Sequence, residues 1–233
     1  MSISHELRTP LTTLKGYAEA LADGVVGPDG AQKAGQTMLA EAEQLDRLVA
    51  DLLVLARLEA EDFPLELLPV ELVSLVTGAA EPWAGRCAAV GVVLRTELPP
   101  MPLVVRGDAV RIRQVLDGLL ENALRVVPPG APVVLAVRPE PPYGVIEVRD
   151  GGPGLTDADL AVAFHQGALY ERYRGVRKVG SGLGLALAER LVRRLGGRID
   201  AGHAPEGGAR FTVRLPAGAG AAGPGSYGTL TSA

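Results

Sequence analysis

A heptad pattern of apolar residues near the start of the chain constrains its fold more than any other feature. Five apolar residues follow one another at alternating steps of four and three: Leu7, Leu11, Leu14, Ala18 and Leu21. This is the spacing of a helix that packs lengthwise against another helix. The segment "GVVGPDG" ends the pattern, and a second apolar series follows at Met38, Leu45, Leu48, Leu52 and Leu55. The sequence therefore predicts an antiparallel helical hairpin over residues 1–60, and the apolar surface left on such a hairpin predicts that two copies pair in a four-helix bundle.

From about residue 61 onward the helical period gives way to a mixed pattern. Residues 61–70 contain two prolines and are predicted to be a linker. Helices are predicted near 71–90, 108–127 and 183–195, and strands near 92–98, 103–106, 133–137, 145–149, 198–200 and 210–215. Because these strands come in adjacent pairs with helices between the pairs, we expect an α+β domain over residues 71–216, an α/β sandwich with helices packed on a mixed sheet. The Gly- and Ala-rich end, 217–233, is predicted to be disordered.

Charge and composition exclude several classes of function. The formal net charge is −4 and the arginines are mostly dispersed, which argues against nucleic-acid binding. The single cysteine, Cys87, cannot form an internal disulfide, and the three histidines provide no zinc-ligand spacing. No apolar run approaches the roughly 20 residues that span a bilayer. We therefore expect this chain, as given, to be cytoplasmic.

The segment "SHELRTPLT" places a histidine on the polar side of the first helix. His5 lies about 100° around the helix from the apolar series, so we expect its side chain to be exposed together with Arg8 and Thr9. Pro10 removes the backbone donor that would reach the Glu6 carbonyl, and we expect the helix to bend there. A neutral imidazole can accept a phosphoryl group, and the carboxylate of Glu6 can take the proton that is released. Taken alone, the segment is more simply a solvated helix face.

Two polar positions in the second region could bind a nucleotide. Asn122 and Arg125 lie three residues apart on one face of a predicted helix, where an amide oxygen suits Mg²⁺ and a guanidinium suits phosphate. Asp150 ends a predicted strand and is followed by the turn "GGPG". An ionised aspartate only accepts hydrogen bonds, so it suits the exocyclic amine of adenine. The alternatives are an ordinary helix surface and an ordinary hairpin turn.

Two further segments are rich in glycine or in positive charge. The run "GSGLGL" places Gly180, Gly182 and Gly184 directly before a predicted helix, whose free amides favour phosphate. It is similar to a dinucleotide-binding fingerprint, but the third glycine of that motif would fall at Leu185. The preceding segment, "AFHQGALYERYRGVRKVG", combines aromatic residues with several cations. It is typical either of a mobile lid over an anionic ligand or of a basic surface loop.

Taken in order, these segments resemble the cytoplasmic transmitter core of a two-component sensor histidine kinase. The segment "SHELRTPL" resembles the phosphoacceptor box of that family, and "LLENALRVVPPG" resembles its asparagine box. The runs "DGGPGL" and "GSGLGL" resemble its two glycine boxes, and the segment around Phe164 resembles its lid. Each motif is weak alone, whereas five motifs in this order are specific. The resemblance covers the chain from Ser4 to about Leu215.

The resemblance implies an enzyme, a protein histidine kinase, in which His5 accepts the γ-phosphoryl group of ATP with Glu6 as the base. Thr9 matches the position that in this family orients water for dephosphorylation of the partner. In the ATP-binding domain, Asn122 would ligate Mg²⁺ and Asp150 would bind adenine. The other implied nucleotide-binding positions are Arg125, Gly152, Gly154, Arg174, Lys178, Gly180, Ser181, Gly182, Leu183 and Gly184.

The implied partners are a response regulator, whose receiver-domain aspartate takes the phosphoryl group from His5, and a second copy of the chain as a homodimer. Only four residues precede His5, so we expect the sensor region of a membrane-anchored parent to lie upstream. Two other hypotheses stay open. A plain ATPase of the same ATP-binding superfamily would have no phosphoacceptor helix, and a non-catalytic pseudokinase scaffold is compatible with Gly118 where the family usually has asparagine.

Overall fold

The computed structural model describes residues 3–59, 63–173, 176 and 182–218, with the backbone alone for residues 3–6 and 59. Its internal contacts define two compact units, Met1–Phe63 with Val162–Leu187 and Pro64–Ala161 with Ala188–Ala233. Four predicted site residues lie outside the described residues: Arg174, Lys178, Gly180 and Ser181. The tail from residue 219, predicted to be disordered, also lies outside them.

The first unit contains the predicted helical hairpin. Helix α1 spans Ile3–Ala22 and helix α2 spans Pro28–Glu59, and the two helices pack against each other. Gly24 follows α1 with φ +68°, a left-handed conformation that commonly ends a helix and that favours glycine. Pro28 is the first residue of α2, where its missing N–H costs nothing. The hairpin prediction is therefore confirmed, with the turn at the predicted break.

Apolar side chains on the hairpin are only partly covered. Leu48 and Leu55 of the second apolar series are buried, whereas Leu11 of the first series is 59% exposed. Leu39 and Leu53 on α2 are 62% and 56% exposed. The helix α1 continues through Pro10, whose side chain is buried. None of the helices within the described ranges is long and apolar enough to cross a membrane.

The second unit contains a mixed five-stranded sheet with strand order β2-β4-β5-β7-β6. The strands of the domain are β1 Leu68–Glu71, β2 Val93–Glu97, β3 Val104–Gly107, β4 Pro132–Glu140, β5 Tyr143–Asp150, β6 Arg198–His203 and β7 Ala209–Pro216. Strand β2 is parallel to β4, and the other neighbouring pairs are antiparallel. The later helices are α3 Leu72–Ala89, α4 Ala109–Val126, α5 Asp157–Leu160, α6 Ala168–Tyr173 and α7 Gly184–Arg194. The predicted mixed sheet with helices is confirmed.

A short strand occupies part of the segment predicted to be a linker. β1 pairs antiparallel with β3, with Leu68 opposite Gly107 and Glu71 opposite Val104. Pro69 is tolerated because β1 has a single strand neighbour and Pro needs no partner on its outer edge. The backbone N–H of Glu66, just before the strand, donates to Asp108 Oδ2 at 3.1 Å. This segment is therefore fixed by contacts with residues about 40 positions away, which the local pattern does not reveal.

The apolar face of α4 forms much of the domain core. Its buried residues recur at steps of three, one, three, one and three: Ile112, Val115, Leu116, Leu119, Leu120 and Ala123. Side chains of α4, Val192 of α7 and the strand residues Ile146 and Val213 line one apolar region. Asp108 caps α4 through bonds from the Val110 and Arg111 amides. Because the apolar face is fixed against the sheet, the half-buried residue Asn122 is held on another part of the helix surface.

Candidate functional site

Asp150, the last residue of β5, is a candidate site residue that backbone hydrogen bonds hold in place. It is 2% exposed, and its Oδ1 accepts hydrogen bonds from the backbone N–H groups of Gly152 at 2.8 Å and Ala209 at 3.2 Å. Its own carbonyl oxygen accepts from the Gly208 N–H at 3.0 Å. The side chain is therefore oriented by two separate chain segments.

The turn from Ala204 to Gly208, between β6 and β7, approaches Asp150 so closely that a side chain at residue 208 would not fit. A Cβ atom at Gly208 would lie under 3 Å from both the Asp150 carboxylate and the Gly152 nitrogen. Real Cβ atoms do not make such contacts, and backbone atoms cannot move aside as a flexible side chain would. Glycine at this position is thus a condition for the observed position of Asp150.

The turn after Asp150 is built around glycine as well. Gly154 has φ +69°, a conformation that residues with a side chain rarely adopt. Its Cα faces the Gly207 carbonyl, since an added Cβ would lie 3.4 Å from that oxygen. Thr156 then caps α5 in a capping box with Asp159, which is fully buried. The segment that follows Asp150 is therefore fixed at both of its ends.

Asn122 and Arg125 lie near the C-terminal end of α4, both half-buried. The Arg125 guanidinium donates to Glu121 Oε1 at 3.3 Å, one turn earlier on the same helix. The Asn122 carboxamide offers an oxygen ligand, and within the described ranges no group of three or more His, Cys, Asp or Glu could hold a metal ion. A single amide oxygen fits Mg²⁺, which keeps several waters and is usually shared with substrate phosphates.

In the other compact unit, the described part of the second glycine segment contacts the segment predicted to be a lid. Gly182 has φ +67°, and its carbonyl accepts a hydrogen bond from the Gly167 N–H at 3.0 Å. Leu183 is buried, and Gly184 begins α7 with open space around its Cα. The first backbone amides of this 11-residue helix have no acceptor one turn earlier within the helix itself.

Helix α1 carries the remaining candidate residues. His5 and Glu6 lie within this helix, and their side chains are outside the described part of the chain. Arg8, Thr9 and Thr12 are exposed, and the Thr12 hydroxyl donates to the Arg8 carbonyl at 2.8 Å. These hydroxyl and cationic groups thus lie on the solvent side of α1, on the first turns of the helix that contains His5.

The local sequence does not reveal the residues of the β6–β7 turn and of the start of β7 that hold Asp150. Gly208 and Ala209 lie almost 60 positions after Asp150 and have no unusual residue type. The "GG" dipeptide at Gly207 and Gly208 is a turn signal, but it does not say what the turn contacts. The capping box at Thr156 could have been found, because a threonine three residues before an acid is a recognised helix start.

Two family models match the chain. The model of the His Kinase A (phospho-acceptor) domain matches residues 1–61, which include the helical hairpin. The model of the histidine kinase-, DNA gyrase B- and HSP90-like ATPase matches residues 107–219. The first match contains His5 and the second contains Asn122, Asp150 and both glycine segments.

Curated proteins resemble the chain along nearly its whole length. It is 36% identical over 91% of its residues to TcrY of Mycobacterium tuberculosis, which is named as a probable sensor histidine kinase. It is 35% identical over 92% of its residues to the signal transduction histidine-protein kinase BaeS of Escherichia coli. The chain spans only 44% and 45% of the length of these two relatives.

Solved structures share the same architecture. The histidine kinase AdeS of Acinetobacter baumannii is similar with a TM-score of 0.73 and 26% identity, over 91% of this chain and 98% of that one. Full-length ShkA in complex with AMPPNP is similar with a TM-score of 0.68 and 27% identity, over 92% of this chain and 44% of that one.

Proposed function

This chain belongs to the sensor histidine kinases, and from that premise we propose that it moves the γ-phosphoryl group of ATP to His5 and then to an aspartate of a response regulator. The family membership covers both parts of the chain that such a reaction needs, the phosphoacceptor hairpin and the ATP-binding domain.

The observation that carries the proposal is the fixed orientation of the Asp150 carboxylate. Its Oδ1 is occupied by the Gly152 and Ala209 amides, and it is 2% exposed at the end of β5. A carboxylate that is held in this way can accept a hydrogen bond from the exocyclic amine of adenine without reorganising. The same carboxylate would repel the carbonyl oxygen that guanine carries at that position. Asp150 would therefore select adenine nucleotides.

The phosphates of ATP would be bound by other polar groups that the family resemblance assigns to the nucleotide. Asn122 would hold Mg²⁺, which would supply positive charge against the β- and γ-phosphates. Arg125 would exchange its contact with Glu121 for a phosphate oxygen, and the lid cations Arg174 and Lys178 would add further contacts. By the family resemblance, backbone amides at the start of α7 would also favour phosphate. The AMPPNP bound by ShkA is an ATP analogue, which supports ATP as the nucleotide.

The chemical step would involve both the phosphoacceptor hairpin and the ATP-binding domain. One ring nitrogen of neutral His5 attacks the γ-phosphorus, and the bond from that phosphorus to the oxygen of the β-phosphate breaks, releasing ADP. Glu6 takes the proton that leaves the other ring nitrogen. Neutral imidazole is available near pH 7, because its ordinary pKa is about 6.5.

The same helix would serve the later steps. A receiver-domain aspartate of the response regulator attacks the phosphorus on His5 and leaves the imidazole free. The exposed Thr9 would orient a water molecule that hydrolyses the phosphoryl group of the regulator. Two copies of the chain would pair through the exposed apolar side chains of the hairpin, Leu11, Leu39 and Leu53. A membrane-anchored sensor region in the parent protein would supply the signal.

Labelling with γ-³²P-ATP tests the proposal. The purified chain should incorporate label only with Mg²⁺, and the label should be lost in acid and kept in alkali, as expected of a phosphohistidine. His5→Gln should abolish labelling and leave ATP binding unchanged. Labelling that survives His5→Gln, or phosphate release with no label on the chain, would favour a plain ATPase. A wild-type chain that binds no ATP would favour a non-catalytic scaffold.

A further inference from the structure

An ion pair on the face of the sheet opposite to Asp150 holds the turn that orients Asp150. Arg149 directly precedes Asp150 in β5, and successive side chains of a strand point to opposite faces. The Arg149 Nη2 and Nε atoms donate to Oε1 of Glu206, in the β6–β7 turn, at 2.9 and 3.2 Å. The two side chains are only 11% and 14% exposed. The contact is therefore largely shielded from solvent.

Arg149 is fixed by acids on three sides. Besides Glu206, it donates to Glu97 of the edge strand β2 at 2.7 Å and to Glu147 of its own strand at 3.4 Å. Burial lowers the pKa of Arg149, but the bonds to Glu97 and Glu206 outweigh burial and raise it. The guanidinium thus remains charged and cannot readily change its position.

The Arg149–Glu206 pair is better suited to fixing geometry than to stabilising the fold. Oε2 of Glu206 is buried and accepts no hydrogen bond within the described ranges. An unsatisfied buried carboxylate oxygen carries a desolvation cost that offsets much of the attraction within the pair. What the pair determines is where the turn lies relative to the end of β5.

The position of the turn determines the position of the Asp150 carboxylate. Gly208 and Ala209 directly follow the segment that Glu206 holds, and their N–H groups donate to the Asp150 carbonyl at 3.0 Å and to Oδ1 at 3.2 Å. Two consecutive residues of β5 therefore bind one turn, Arg149 through its side chain and Asp150 through both its side chain and its backbone.

We propose that Arg149 and Glu206 are positioning residues, which hold the β6–β7 turn so that Asp150 keeps the orientation in which it binds the nucleotide base. The inference rests on the proposed function, in which that base is the adenine of ATP. Neither residue touches the nucleotide, and both act through Asp150.

Glu206→Gln tests this role, with Glu140→Gln as a matched control. Glu140 also accepts hydrogen bonds from two arginines, Arg138 and Arg214, each at 2.7 Å. It lies opposite Tyr143 in the strand pairing, at the end of β5 remote from Asp150 and roughly 20 Å away. Both variants replace a charged acceptor by a neutral one on the same sheet, but only Glu206 lies in the turn.

We expect Glu206→Gln to change KM for ATP much more than kcat. Loss of base positioning weakens the ground state and the transition state alike, so Glu206→Gln should raise the KM for ATP about tenfold with kcat within about twofold. The preference for ATP over GTP should fall by a similar factor. Glu140→Gln should change each value by less than about twofold. An unchanged KM in Glu206→Gln, or equal effects of the two variants, would overturn the inference.

Amide hydrogen exchange in the nucleotide-free chain separates this inference from the proposed function. The Gly152 and Ala209 N–H groups, both bound to Asp150 Oδ1, should exchange about tenfold faster in Glu206→Gln and at the wild-type rate in Glu140→Gln. Unchanged exchange in Glu206→Gln would refute the positioning role whether or not the wild-type chain binds ATP. Arg149→Lys keeps the charge but loses the two-point contact, and it should show a smaller effect in the same direction.

Discussion

Asp150→Asn separates the charge of the group proposed to bind the base from its position. The carboxamide oxygen of Asn can accept the same two backbone bonds that Oδ1 of Asp150 accepts from Gly152 and Ala209. The second oxygen is replaced by an NH₂ group, which only donates. This group would face the exocyclic amine of adenine, which also donates. The substitution therefore keeps an acceptor for these two backbone bonds and opposes one donor with another at the base.

The size of the effect follows from the bond that is lost. A hydrogen bond to a charged acceptor contributes about 1.5–3 kcal/mol, so its loss should raise the Kd for ATP roughly 10- to 150-fold. Asp150→Ala should weaken ATP binding as well and should also destabilise the domain, because the Gly152 and Ala209 amides would lose their acceptor. The contrast between the two variants identifies the effect as one on recognition.

Calorimetric titration of the wild type, Asp150→Asn and Asp150→Ala with ATP and with GTP measures this contrast. We expect Asp150→Asn to lose ATP affinity and to improve its relative affinity for GTP, because the guanine carbonyl can accept from the new NH₂ group. Urea unfolding should show a smaller loss for Asp150→Asn than for Asp150→Ala. If Asp150→Asn binds ATP within about threefold of the wild type, a difference below about 0.7 kcal/mol, the role given to the carboxylate is refuted.

A methyl group at Gly208 would collide with Asp150, so Gly208→Ala should raise the Kd for ATP at least about tenfold and cost about 1–3 kcal/mol of stability, measured by nucleotide titration and urea unfolding. Gly118→Ala, in α4, is the control, because nothing lies within 4 Å of a Cβ added there. We expect this variant to gain about 1 kcal/mol of stability and to bind ATP as the wild type does. Lower stability or weaker ATP binding would contradict the packing described. Burial raises the pKa of Glu71, but hydrogen bonds from Ser74, Val73 and Leu103 outweigh it and lower the pKa to about 2, below the ordinary 4.5. The ionised carboxyl therefore stabilises the fold above about pH 5 and loses that effect as the pH falls toward 2. Glu71→Gln should lower the free energy of unfolding by about 1–2 kcal/mol at pH 7 and by almost nothing at pH 2, as measured by urea unfolding. Equal losses at both pH values would refute this cause.

Elements that carry their own apolar period could be predicted from the sequence. The face of α4 from Ile112 to Ala123 and the alternation of Ile146 and Val148 in β5 each identify an element without reference to the rest of the chain. Strand β1 has no such period and contains Pro69. It forms because β3 provides a pairing edge and because Asp108 binds the preceding backbone, and both partners are distant in sequence.

The candidate site likewise has a part that the sequence predicts and a part that it does not. Asp150 and the glycines after it form a local motif, so a role in nucleotide binding could be predicted for them from residue types at fixed spacing, and it stays a prediction. The contacts that orient Asp150 come from Gly208 and Ala209 through the pairing of β5 with β7. Glu206 is an ordinary turn residue in sequence, and only the sheet order brings it to Arg149. Long-range pairing is therefore the part of the site that motifs do not encode.

Mapping the residue that carries the phosphoryl group is the measurement that decides whether this chain acts as a histidine kinase. Trypsin cleaves after Arg8 and Lys15, which separates residues 1–8, containing His5, from residues 9–15, containing Thr9, Thr12 and Thr13. After incubation with ATP and Mg²⁺, mass spectrometry under alkaline conditions should find one acid-labile phosphoryl group on residues 1–8. An acid-stable phosphoryl group on residues 9–15, or an unmodified chain that has bound and hydrolysed ATP, would contradict phosphorylation of His5.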